Sequence, residues 1–133
     1  MTANGFASKV RKWTVYFATL DANPIIENDY AVAVYDSYPV SAGHALVIPK
    51  RHATTIFDLS EDEYTGCFEL VKSLKFVLQE KHSTSAFNIG ANCGEVAGQT
   101  IQHAHIHVIP RYEGDVDDPR GGVRHVIPSK AHY

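Results

Sequence analysis

Apolar and polar positions change period several times along this 133-residue chain, and each change marks an element. Residues 1–12 are small and polar with Lys9, Arg11 and Lys12 clustered, and read as a loose N-terminal arm. Trp13–Phe17 is aromatic and β-branched, a short strand or edge segment that Asn23-Pro24 ends. Tyr30-Ala-Val-Ala-Val-Tyr35 and Ala45-Leu-Val-Ile48 are continuous apolar runs, short enough for buried strands. Asp36-Ser-Tyr-Pro39 stops the first, so the two are expected to pair as antiparallel neighbours joined by the loop that holds His44. Ser60-Glu-Asp-Glu63 is a capping box that opens a helix, and Tyr64, Cys67, Phe68, Val71, Leu74, Val77 and Leu78 then recur at three- and four-residue steps as its buried stripe. That helix fades near Lys81-His82, and Ala86–Ile89 resumes strand chemistry. Strands grouped around one long helix predict an α+β fold, an antiparallel sheet with the helix packed against it.

The period shortens to two at Gln99-Thr-Ile-Gln-His103-Ala-His105-Ile-His107-Val-Ile-Pro-Arg111. Three of the eight histidines fall at alternate positions, so a strand here places His103, His105 and His107 on one face and Ala104, Ile106 and Val108 on the other. In extended chain His103 and His107 lie about 13 Å apart, too far to close around one tetrahedral ion. A neutral imidazole is a nucleophile at pH 7 and a good leaving group once protonated, which favours covalent chemistry over metal ligation. The preceding loop, Gly90-Ala-Asn-Cys-Gly-Glu-Val-Ala-Gly98, lacks P-loop spacing, yet its glycines let backbone amides approach an anion.

Composition narrows the class. At 44% hydrophobic and 20% charged residues the chain reads as one soluble globular domain. A net charge of −3 provides no field for nucleic acid, so none is expected as a partner. Cys67 and Cys93 are not in a Cys-x-x-Cys spacing; they suggest reduced thiols and leave a single disulfide open. Met1–Val10 has no apolar signal-like core and no run is long enough to span a bilayer, so the expectation is a cytoplasmic protein without a membrane partner.

The His103–Ile109 block resembles the His-φ-His-φ-His-φ-φ signature (φ apolar) of the histidine-triad nucleotide hydrolases and transferases. Gly43-His44-Ala-Leu-Val-Ile-Pro49-Lys50-Arg-His52 resembles that family's second hallmark, in the right order and at about the right separation. The resemblance runs from Trp13 to Asp115, which makes 13–115 the domain and 116–133 a flexible C-terminal tail. Pro110-Arg111 is closer to the dinucleoside polyphosphate hydrolase branches, fragile-histidine-triad-like and bacterial, than to the phosphoramidase branch.

The resemblance implies the HIT-like fold, a homodimer with one continuous sheet, a nucleotide substrate and no cofactor. It also implies His105 as the nucleophile, with a backbone carbonyl fixing its tautomer. His103 and His107 are then placed on the α-phosphate and leaving group, with His44 backing His103. Asp36 is placed on the ribose hydroxyls, although an Asx turn ending the strand explains it equally well. Asn92, Gln99 and Thr100 match family positions that bind ribose or phosphates. Transferases that make sugar nucleotides carry glutamine at the last triad position, so His107 implies hydrolysis.

Several alternatives stay open. Arg120 and Arg124 either clamp a distal phosphate or are solvated tail residues, and His125 and His132 have no assignment. A metal-dependent hydrolase would use two triad histidines with His44 or His52; some relatives hold zinc with an N-terminal Cys-x-x-Cys, absent here, so no metal is expected. A binding or scaffold protein with incidental hydrolysis is the third reading. Dinucleoside polyphosphate, nucleoside phosphoramidate and aminoacyl-adenylate share the same α-phosphate, and Val34, near the expected base pocket, selects no particular purine.

Overall fold

The computed structural model describes residues 23–133; the expected arm 1–12 and the Trp13–Phe17 strand lie outside the described residues. Five strands, β1 (Ile26–Glu27), β2 (Ala31–Tyr35), β3 (Ala45–Pro49), β4 (Ala86–Gly90) and β5 (Ile106–Arg111), form one antiparallel sheet in the order β1-β2-β3-β5-β4. The 22-residue helix α1 (Glu61–His82) connects β3 to β4. The two continuous apolar runs pair antiparallel as expected, Val34 opposite Leu46, because both are buried on both faces.

Helix α1 begins where the capping box places it. Ser60 Oγ accepts from Glu63 N–H at 3.2 Å and Glu63 Oε1 accepts from Ser60 N–H at 2.8 Å. Its buried face is Cys67, Leu70, Val71, Leu74 and Leu78, packed on Ala31, Ala33, Val47, Ile106 and Val108 of the sheet. Tyr64 and Phe68, expected in that stripe, instead stand on its flank as a ring pair 4.9 Å apart, 40% and 37% exposed. Both cysteines are free, and burial pushes the Cys67 thiol up to about 11, so it stays protonated.

The opposite face of the sheet carries a smaller apolar cluster, Val32, Val34, Leu46 and Ile48, with Ile101 packed on it. Directly opposed residues of an antiparallel ladder share a face. The pairs Val34–Leu46, Leu46–His107 and His107–Gly90 therefore draw one row across four strands of this face, from aliphatic cluster through His107 to the β4 edge. A Cβ built on Gly90 meets nothing within 4 Å, so space is open beside His107.

Residues 116–133 depart from the flexible tail expected of them. Two short 3-10 helices, Gly122–Val126 and Pro128–Lys130, fold back, and the first packs on β4. Arg124 holds the turn closed by donating to the carbonyls of Lys130 (2.7 Å) and Ala131 (3.3 Å), with its guanidinium over the Tyr133 ring, and Ala131 is fully buried. Among the described residues no helix is long and apolar enough to cross a membrane.

Where α1 passes the turn before β2, Gly66 lies so close that a Cβ built on it would stand 2.8 Å from Tyr30 Cβ and Cγ. Alanine is the better helix former by about 1 kcal/mol, but the overlap forces the turn apart. Gly66→Ala is therefore expected to destabilise the fold by about 1–3 kcal/mol, against its helix propensity; a urea midpoint equal to or above wild type would contradict this packing.

Candidate active site

Strand β3 carries a histidine just before it, His44, and another three residues after it, His52. Its ladder with β5 runs antiparallel through Ala45–Val108, Leu46–His107 and Val47–Ile106, and there it stops, because Ala104 N–H turns to Ala53 O at 2.7 Å. The triad is thus not three residues of one strand. β5 starts at Ile106, so only His107 stands on it, while His103 and His105 occupy the irregular approach.

His103 differs most from expectation. It is completely buried, with Nε2 3.0 Å from Pro49 O and Nδ1 2.7 Å from His52 Nδ1. With both ring nitrogens used inside the fold, its ring is not placed on a phosphate or leaving group. Its carbonyl takes part instead, accepting from His105 Nδ1 at 2.8 Å. His44, expected to back His103, backs His107, with Nε2 2.9 Å from His107 Nδ1. Antiparallel order dictates the exchange: the histidine before β3 meets the late triad residue and the one after it meets the early residue.

The protons follow from the backbone groups at the ends of each chain of bonds, since an amide N–H only donates and a carbonyl only accepts. Val40 N–H donates to His44 Nδ1 (3.1 Å), so His44 carries its proton on Nε2 and donates to His107 Nδ1. The His107 proton therefore sits on Nε2. Pro49 O takes the Nε2 proton of His103, leaving its Nδ1 to accept from His52. His103 O takes the Nδ1 proton of His105, which puts the His105 lone pair on Nε2. The rings of His105 and His107 meet edge to face, 5.2 Å between centroids.

Burial keeps the two outer histidines neutral. His103 is pushed down to about 4 by burial, against the carbonyl of Pro49, and His107 to about 4 by burial reinforced by its histidine neighbours. His44 is also lowered by burial, with the Asp36 carboxylate opposing.

The HIT domain family model matches residues 18–114. The chain belongs to the HIT domain family. A HIT-like protein of Mycoplasma genitalium is 38% identical over 87 residues, 65% of this chain and 62% of that protein. The asymmetrical bis(5'-nucleosyl)-tetraphosphatase of Schizosaccharomyces pombe is 41% identical over 80 residues, 60% of this chain and 44% of that one. The chain thus spans less than two thirds of the length of either relative. A hypothetical histidine triad nucleotide-binding protein of Sulfolobus tokodaii superposes with a TM-score of 0.69 at 33% identity, covering 85% of this chain and 72% of that one.

The remaining residues sort by what they touch in this HIT domain. Asp36 does two things: Oδ1 accepts from Tyr38 N–H at 2.9 Å, the Asx turn, and Oδ2 lies 3.4 Å from His44 Nε2. Gln99 is buried and both of its N–H donors go to carbonyls, Thr54 at 2.7 Å and Ile101 at 3.0 Å, while Oε1 accepts from Gly94 N–H at 2.8 Å. It braces the glycine loop, and Asn92 and Thr100 are exposed on either side. Arg124 is spent on the tail's carbonyls and Arg120 on Asp118 at 3.0 Å, so neither is posed as a phosphate clamp.

Arg51, in the same block as His52, grips Glu63 at the start of α1 with two bonds of 2.7 and 2.8 Å and so anchors the loop that presents His52. The His52 contact was not read from the sequence; its signal was the position of a histidine beyond each end of one strand. The ligand atoms of Asp36, His44 and His107 lie within 4.8 Å of one another and could hold a metal, at the expense of the His44–His107 hydrogen bond.

The buried neutral histidines make stability depend on pH with a definite sign. Unfolded, each takes a proton near 6.5; folded, His103 and His107 resist until about 4. Between those values the unfolded chain binds more protons, so stability is full above pH 6.5 and falls as pH drops towards 4, by on the order of a few kcal/mol. Urea midpoints at pH 7.5, 6 and 5 should decline in that order; midpoints flat over this window would contradict neutral burial.

Proposed function

We propose that this HIT domain is a nucleotide hydrolase that cleaves at the α-phosphate of a purine nucleotide conjugate, a dinucleoside polyphosphate by preference, through a nucleotidyl-histidine on His105. The observation that carries this is the 2.8 Å bond from His105 Nδ1 to the His103 carbonyl, which assigns the lone pair to Nε2. In the first step His105 Nε2 forms a bond to the α-phosphorus and the bridging P–O bond breaks. Its electron pair leaves on the oxygen of the departing nucleoside polyphosphate. In the second step water forms the new O–P bond, the N–P bond breaks, His105 returns as neutral imidazole with its Nδ1 proton, and one proton passes to solvent.

His107 points the choice towards an anhydride. Held neutral with its proton on Nε2, it donates a hydrogen bond to a departing oxygen anion but is a poor source of a full proton. A polyphosphate leaves as an anion without one, whereas an alkylamine needs one. The aliphatic cluster of Val32, Val34, Leu46 and Ile48 lies on the same sheet face as His107 and gives a purine an apolar bed without selecting one, with Asp36 after β2 and Asn92 and Thr100 at the glycine loop as the polar groups assigned to ribose and phosphates. A homodimer through the β4 edge, the last strand of the described sheet with Ile89 41% exposed, and a cytoplasmic location complete the proposal.

A phosphorus–nitrogen bond to histidine is labile in acid and persists in alkali. His105→Asn is expected to lower kcat by about a thousandfold or more while nucleotide still binds. With α-labelled dinucleotide, His107→Asn quenched in alkali should carry label on His105. Turnover by His105→Asn within tenfold of wild type, or label on a serine or a carboxylate, would reject the covalent route.

A further inference from the structure

Beyond His107 the same face of β5 continues through Ile109, about 7 Å further along the strand. There a cavity of about 410 Å³ opens, with Ile109, Val40 and Asn88 on the sheet side and Val116, Pro119 and His125 on the side of the folded C-terminal segment. The size is that of a small-ligand pocket. It adjoins the catalytic histidines through one loop: Val40, whose side chain lines the cavity, gives its N–H to His44 Nδ1. Its far wall comes from residues beyond 114, where the match to the family model ends.

The charges lining the cavity are already paired. Arg111 binds Asp115 with two bonds of 2.8 and 2.9 Å and Asn88 Oδ1 with one of 2.6 Å. Asp118 is held by Arg120 at 3.0 Å, and His125 Nε2 donates to Arg120 O at 2.9 Å. Neither a phosphate chain nor an ammonium group finds an unopposed charge there. What remains is aliphatic surface together with the amide of Asn88, whose Oδ1 is taken by Arg111 and whose N–H donors are used by no described hydrogen bond. That is the chemistry of an uncharged, hydrogen-bonding ring system.

We propose that this cavity is a subsite for the second nucleoside of the substrate, on the leaving side of the scissile bond. The reading rests on the function proposed above and deepens it. Across the site face, the aliphatic cluster on β2 and β3 lies on one side of His107 and this cavity, its charges paired, on the β4 side. A dinucleoside polyphosphate has the matching order: nucleoside, anionic chain, nucleoside. The C-terminal segment, by building the outer wall, sets preference for the leaving group.

Binding tests this apart from turnover. Diadenosine triphosphate and adenosine triphosphate have the same number of phosphates and differ by the second nucleoside. With His105→Asn as background, titration calorimetry is expected to give about tenfold tighter binding of the dinucleotide. Val116→Trp or Pro119→Trp, each at an exposed position, should fill the cavity and reduce that preference to about twofold or less. Equal affinities in the background protein, a preference that survives both tryptophans, or no binding of either ligand would overturn the subsite. Alkali-stable label on His105 alongside any of these results would leave the covalent hydrolase standing, and its absence with the preference intact would leave the subsite standing.

Discussion

The antiparallel pairing of β3 with β5 is the constraint on which the site depends. It sets Leu46 against His107, and through that register brings His44 to one end of the triad and His52 to the other. A slip of one residue would turn His107 into the core beneath α1 and Val108 out to the ligand face. The aliphatic filling on both faces of β3 resists such a slip: Val47 is held by the helix-side core, and Leu46 and Ile48 by the cluster on the other side. Core packing and the geometry of the site are therefore specified by the same strand, β3.

Desolvation and hydrogen bonding then divide the labour among histidines of one chemical type. Four rings lie in two pairs, each anchored at one end by a backbone group, and burial keeps both outer triad members neutral. Removing a partner from such a pair leaves a buried nitrogen without a bond, a cost of about 1–3 kcal/mol. The proton positions are consequently part of the fold. His105, held through its own neighbour's carbonyl, presents a lone pair where its tautomer in water would be mixed.

The C-terminal segment adds a wall to this open face. Its short turns are held by arginine–carbonyl bonds from Arg124 and by the ion pair of Arg120 with Asp118. The arginine that does line the cavity, Arg111, is spent on Asp115 and Asn88, so no unopposed positive charge faces that space.

Local rules decided much of this protein. The apolar runs and the capping box at Ser60 depend on neighbours within a few residues, and both appear where the sequence places them. The family signature likewise lies in two contiguous blocks. What a local pattern does not contain is which strand lies beside which: the resemblance places His44 behind His103, whereas the fold sets it against His107 and gives His103 to His52. Nor does it contain where a ladder ends: period two extends the strand back through His103, but the bond from Ala104 to Ala53 ends it at Ile106. Gln99 matches a family position that binds ribose or phosphates, and Arg124 is open between a phosphate clamp and a solvated tail residue; only the packed structure reveals that nearby carbonyls claim their donors. A donor's chemistry is written in the residue, whereas its partner is set by the fold, because hydrogen bonds join groups close in space and distant in the chain.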